Sequence, residues 1–237
     1  MVAVFRLLHF CRVLLAESGV PAVSHGVETV GPKFGVTHHQ ILQAAGVSVE
    51  LTGEEAGKQI SNLEIGWAYV DQSQFCPSLF GMAEFRKKIV KRAAISTAEV
   101  LTGPVRGRNK THLLTGYVHN EYPPIYTMLA RHSGFNSALL MRGTEGGVTP
   151  SLCKRGEFVR YWEQSEDVVV EADTSKIGIE QENRPEPIPH ALMPIIDREF
   201  GPDENNAEIA KLAAKEGLAA IEGKKVPPVM PCFTVHR

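Results

Sequence analysis

The chain has 237 residues, 43% of them hydrophobic and 22% charged, with a formal net charge of −2. That length is long for one domain and short for two, so one sizeable domain is the default. Near-neutral charge excludes a global field that would draw the chain to nucleic acid or membrane.

The first apolar segment, residues 2–19, is interrupted by Arg6, His9 and Arg12 and is too short to span a membrane. Its apolar residues Phe5, Leu8, Val13 and Leu15 keep a helical period and no small-residue cleavage site follows, so it reads as a helix ending at Ser18-Gly19 rather than as a signal peptide. A doubly wound fold places a strand and a phosphate-binding loop before such a helix, so the amino terminus reads as clipped. Val20 to Val23 is a short predicted strand leading into Ser24-His25-Gly26-Val27-Glu28. In GPKFGVTHHQILQAAGV, Thr37 is the expected N-cap of a helix through Ala45, closed by Gly46.

Val47 to Leu51 reads as a strand, Gly53 to Ile60 as a helix with acids in its first turn, and Ile65 to Val70 as a further strand. Gln74-Phe75-Cys76-Pro77 then leads into a helix expected over Leu79 to Lys91, and Ser96-Thr97 caps a short helix ending near Gly103-Pro104. Leu113 to Val118 is a strand, Glu121 opens a helix with Pro123 and Pro124 in its first turn, and Ala138 to Met141 is a second buried strand. Ile125, Met128 and Leu129 mark the apolar face of that helix. Such a unit sits at the centre of a parallel sheet, and ligands gather at the carboxyl ends of its strands.

The loop Arg142-Gly143-Thr144-Glu145-Gly146-Gly147 follows the second strand, and its glycines let backbone N–H groups approach an anion or a metal-bound phosphate. The same loop also reads as a tight turn, and the residues alone leave both open. Beyond Val148, Glu157 to Glu163 and Asp167 to Ala172 read as strands of a hairpin across Gln164-Ser165, Arg184 to Pro194 as loop, and Asp203 to Glu222 as a helix closed by Gly223. The alternation of strand and helix makes the fold α/β, three layers with a mostly parallel sheet.

Cys11, Cys76, Cys153 and Cys232 are widely separated, without metal-ligand spacing, which fits a reduced, cytoplasmic protein. Cys76 reads as a small buried hydrophobe, Trp67 and Trp162 as core aromatics, and His38, His39, His119 and His132 as surface or helix-face residues. Between Arg86 and His112 the basic residues Arg86, Lys87, Lys88, Lys91, Arg92, Arg106, Arg108 and Lys110 face only Glu99, either as solvated surface or as a phosphate-binding face.

The ordered set SHG, GPKFGVTHHQILQAAGV, FCPSLFGMAEFRKKIVKR, TGPVRG, LLTGYVHNEYPPIYTMLARHSGFNSALLMRGTEGGV and ADTSKIGIE resembles the carboxy-terminal α/β domain of the anthranilate phosphoribosyltransferase family. The FCP and GTEG stretches look closer to its YbiB-like paralogues. The resemblance covers residues 1–223, leaves 224–237 as an unassigned tail, and implies the catalytic-domain type of phosphoribosyltransferases and nucleoside phosphorylases. It implies further that an amino-terminal helical domain and a first glycine-rich loop are missing, and that full-length relatives are homodimers.

The implied reaction transfers phosphoribosyl from phosphoribosyl pyrophosphate to an aromatic amine with magnesium, as in tryptophan biosynthesis. By position, His25 and Gly26 match the turn lining the acceptor and sugar site, and Lys33 and Gly35 a second phosphate loop. Arg86 matches the arginine that pairs with the acceptor carboxylate, Gly103 and Pro104 fall in the substrate site, and Glu145 matches the first acid of the metal pair. Val27, Gly31-Pro32, Cys76, Ser96 and Gly146 depart from the family pattern, the last at the second metal acid. These departures keep a second reading open, a paralogue that has lost the chemistry and binds single-stranded nucleic acid through Arg86, Lys87, Lys91, Arg106, Arg108 and Lys110.

Overall fold

A computed structural model describes residues 11–29, 36–88, 94–117, 119–143, 156–177 and 204–224. The chain divides into two compact units, Met1–Ala93 with Pro185–Arg237 and Ala94–Arg184. The α/β class expected from the sequence is the class observed, with parallel strand pairs in both units.

In the first unit, α1 (Cys11–Glu17) leads through Gly19 at φ +80° into β1 (Ala22–Gly26). α2 (His38–Ala44) and α3 (Gly53–Ser61) follow before β2 (Trp67–Asp71), which pairs with β1 in parallel so that Ser24 lies beside Tyr69 and Gly26 beside Asp71. Both helices start on reciprocal capping boxes, Thr37 with Gln40 and Thr52 with Glu55, which satisfy amide donors that the first turn leaves open. Val47 to Leu51, expected as a strand, has no regular structure. Its apolar character serves the core instead, where Val49 packs with Leu42 and Tyr69.

After a short α4 (Gln72–Phe75), the single helix expected over Leu79 to Lys91 is two short ones among the described residues, α5 (Pro77–Phe80) and α6 (Ala83–Lys88). Pro77 starts α5 where its missing N–H is harmless, and Gly81 ends it by donating to Pro77 O at 2.8 Å.

The second unit holds α7 (Ile95–Val100), β3 (His112–Tyr117), α8 (Tyr122–His132), β4 (Ser137–Arg142), β5 (Gly156–Trp162) and β6 (Val168–Ala172). The sheet order is β3-β4-β5-β6, with β3 and β4 parallel and β4, β5 and β6 successively antiparallel. The strand–helix–strand unit and the hairpin therefore form as expected, but among the described residues β3 ends the strand order and does not sit at the centre of a parallel sheet. α8, however, buries Pro123, Tyr126, Thr127 and Ala130, while Ile125 and Met128 point outward, Met128 being 60% exposed. The aromatic and small residues fill the layer against Leu113, Tyr117, Leu140 and Tyr161, and the Thr127 hydroxyl donates to Asp167 Oδ2 at 2.6 Å. Trp162 is not a core residue: it is 53% exposed and stacks on His112 at 5.2 Å.

α9 (Glu204–Ile221) belongs to the first unit, packs on α2 through Ala210 and Ala214 against Ile41, and is closed by Gly223 at φ +73°. Among the described residues no helix is long and apolar enough to cross a membrane.

Candidate functional site

His25 and Gly26 end β1, and Asp71 ends the neighbouring parallel β2. The sequence brings them there because a short apolar run precedes each, and because Asp71 stops its strand by capping α4, accepting from Ser73 N at 2.8 Å and Ser73 Oγ at 2.5 Å.

Side chains alternate along a strand, so the two faces of this pair differ. One carries His25, whose ring meets the Phe75 ring edge-on at 5.4 Å. The other carries Ser24, Gly26, Trp67, Tyr69 and Asp71, and two polar clusters gather against it, one half-buried around Ser24 and one buried around Tyr69. At one end Arg12, only 5% exposed, lies over the Trp67 ring at 4.9 Å and donates from Nη1 to Ser24 Oγ at 2.7 Å. The same Nη1 meets His38 Nε2, which is also 3.3 Å from Ser24 Oγ. A guanidinium is never an acceptor, so His38 Nε2 accepts and the ring proton sits on Nδ1. At the other end the Tyr69 hydroxyl is 3.3 Å from His39 Nδ1, and that nitrogen is 3.1 Å from Asp71 Oδ2. A carboxylate accepts only, so His39 Nδ1 carries a proton and donates towards Asp71.

The electrostatics follow from burial. Tyr69 is fully buried, and burial, then the Asp71 charge, raise its pKa well above the ordinary phenol range, with Arg12 opposing; it stays neutral. Burial lowers the Arg12 pKa to about 10, with Tyr69 and Cys11 opposing, so the guanidinium is charged at neutral pH. Burial pushes the Cys11 thiol up, with Arg12 opposing, and keeps it protonated. Arg12, Ser24, His38, His39, Tyr69 and Asp71 escaped the sequence reading. His39 in particular, expected on the surface or a helix face, is 7% exposed.

The other expected site residues are distributed as follows. Gly103 and Pro104 lie in the second unit, in the loop after α7, with Gly103 at φ +53°. Arg86 is carried by α6, and its side chain lies outside the described part, as do Lys33, Gly35 and Glu145. Among the described residues no group of three or more His, Cys, Asp or Glu could hold a metal ion. Within the basic segment, Arg106 lies over the Phe135 ring at 4.1 Å and donates to Ser133 O at 3.0 Å. Lys110 pairs with Glu163 and lies 5.4 Å from the Trp162 ring centroid. Cys76, expected as a buried hydrophobe, is half-buried.

His25 and Gly26 thus lie at the carboxyl end of β1, beside that of the parallel β2. The chain is similar to curated anthranilate phosphoribosyltransferases. It is 28% identical over 161 residues to the one from Desulforamulus reducens, covering 66% of this chain and 43% of the relative. It is 28% identical over 160 residues to that of Cupriavidus pinatubonensis, covering 64% and 42%, and 28% identical over 134 residues to that of Saccharopolyspora erythraea, covering 56% and 36%. The chain thus spans less than half the length of these curated relatives. No family model matches it.

Proposed function

We propose that the chain belongs to a phosphoribosyltransferase that moves phosphoribosyl from phosphoribosyl pyrophosphate to an aromatic amine. The observation that carries this reading is the position of His25 and Gly26 at the carboxyl end of β1, beside that of the parallel β2, where α/β sheets bind ligands. Similarity to proteins named for this activity supports it.

The chemistry asks for little covalent help and much positioning. Positive charge grows on the anomeric carbon as negative charge grows on the departing pyrophosphate, so the protein must align acceptor and sugar and meet the leaving group with donors. In this reading His25 and Gly26 line the acceptor and sugar, and Lys33 and Gly35 meet phosphate. Arg86 holds an acceptor carboxylate with its planar guanidinium. Magnesium would neutralise pyrophosphate charge when bound, with Glu145 as its matched ligand, and no step here is routed through it.

The test is pyrophosphate release from phosphoribosyl pyrophosphate and magnesium with a panel of aromatic amines, with and without a carboxylate. Turnover with a carboxylated amine, and a raised KM for that amine in R86A, are expected. Absence of release with every amine sinks the reading.

A further inference from the structure

We infer that Tyr69 is a positioning residue: its hydroxyl, beside His39, which Asp71 holds in turn, sets the seat of the His25–Gly26 strand end and through it the binding of the acceptor. The kinetic half of this inference rests on the phosphoribosyl-transfer reading, and the structural half stands without it.

The geometry is one of close approach. A Cβ added at Gly26 would lie 3.1 Å from the Tyr69 hydroxyl oxygen, closer than a methyl carbon settles without displacing its neighbour. The next atoms, Tyr69 Cε2 and Cζ, are at 3.8 and 3.9 Å, ordinary van der Waals contact. The hydroxyl is therefore the one neighbour that a side chain at this position would have to push back, by a few tenths of an ångström. It cannot easily yield, because the Tyr69 ring is wholly buried with Leu42 and Val49, and its oxygen lies 3.3 Å from His39 Nδ1, within reach of the N–H that is shared with Asp71.

His39 is fixed in turn from two sides. α2 carries it, started by the Thr37–Gln40 box, and Asp71 Oδ2 holds its Nδ1 at 3.1 Å while Ser73 occupies Oδ1. A chain of contacts thus runs from the start of α2 through His39 and Tyr69 to the backbone of Gly26, one residue from His25. Asp71 also pairs with Gly26 in the β1–β2 register, so the clamp and the turn share one strand end. Tyr69 and His25 lie on opposite faces of the pair, so Tyr69 acts on the turn through its backbone.

The first measurement is a ligand-free double-mutant cycle on the whole chain, following urea denaturation of G26A, Y69F and the double variant. Removing the hydroxyl makes room for the alanine methyl, so Y69F should offset the G26A loss, with a coupling of about fivefold in the folding equilibrium. Additive effects overturn the inference. The second measurement is steady-state kinetics. Y69F and H39L should raise the acceptor KM about fivefold, the worth of one neutral hydrogen bond, at unchanged kcat. H39N, whose amide nitrogen presents a donor near the place of Nδ1, should restore KM. A fall in kcat at constant KM, or identical behaviour of H39L and H39N, overturns the positioning role. A wild-type chain without turnover sinks the phosphoribosyl reading, and the cycle alone then decides the clamp.

Discussion

Arg12 donates to Ser24 Oγ at 2.7 Å, yet no carboxylate among the described residues neutralises its guanidinium, and its Nε and Nη2 are buried without hydrogen-bond partners. A buried charge with unpaired donors costs more in lost hydration than its contacts return. The lowered Arg12 pKa has the same origin, since the unfolded chain holds that proton more tightly. This cost is fully present at neutral pH and is relieved only as pH rises through about 10. R12M, which keeps the aliphatic stem over Trp67, is expected to match or exceed wild-type stability in urea denaturation at pH 7. A clear loss would show that the cation itself is stabilising.

Gly66 stands before β2 at φ +66°, and a Cβ there would lie 2.9 Å from Ala16 Cβ on α1. Its carbonyl also accepts from Ala22 N at 2.9 Å, tying the entry of β2 to that of β1. G66A should therefore lose about 1–3 kcal/mol through backbone strain, with the steric conflict adding to it. Denaturant midpoints at constant slope would check this, and a loss within a few tenths would contradict it.

Thr37 does two jobs at the start of α2: its hydroxyl oxygen accepts from Gln40 N at 3.2 Å, and its O–H donates to Glu28 O at 2.8 Å. T37A removes both and should cost about 1–2 kcal/mol. T37S retains the hydroxyl and should recover most of it. Thermal melts of the three proteins make the comparison, and equal melts for T37A and T37S would refute the capping argument.

Tyr117 donates to Glu157 Oε1 at 3.2 Å, an oxygen that also lies 3.4 Å from Arg142 Nη1. Burial and then the Glu157 charge push the phenol up to about 12, with Arg142 opposing. Because the folded value is raised, the associated stability is present below the ordinary phenol pKa and is lost as pH rises through about 12. E157Q should lower the Tyr117 midpoint while burial keeps it above the ordinary value, as read from the phenolate absorbance. An unchanged midpoint would remove Glu157 as a cause.

Much of the local architecture was legible in the sequence because it is decided over three or four residues. Thr37 and Gly46 mark the ends of α2, Pro123 and Pro124 start α8, and the apolar runs around it pair as parallel β3 and β4. The hairpin of β5 and β6 follows from the same short-range signals. A strand ahead of His25 and Gly26 was legible too, but it runs over Ala22–Gly26 and includes both residues, where the expected strand stopped at Val23.

Burial was another matter, because it depends on which distant segment arrives opposite a side chain. Ile125 and Met128 have the spacing of a core face, but Leu113, Leu140 and Tyr161 meet the Tyr126–Ala130 side of α8 instead. Trp162, large and apolar, finds His112 and Lys110 at an open strand end rather than a core. Val47 to Leu51 has strand composition but finds no ladder partner among the described residues, so Val49 packs from a loop. The two polar clusters are the clearest case: Arg12, Ser24, His38, His39, Tyr69 and Asp71 come from four separate elements, and none signals the others in sequence. The sequence by itself determined most of the elements, the caps of α2 and α3 and the strand that leads to His25 and Gly26. Only the tertiary structure decided what lies beneath Gly26, because a hydroxyl 3.1 Å from its would-be Cβ is a fact of packing between strands about 40 residues apart, beyond the reach of any local pattern.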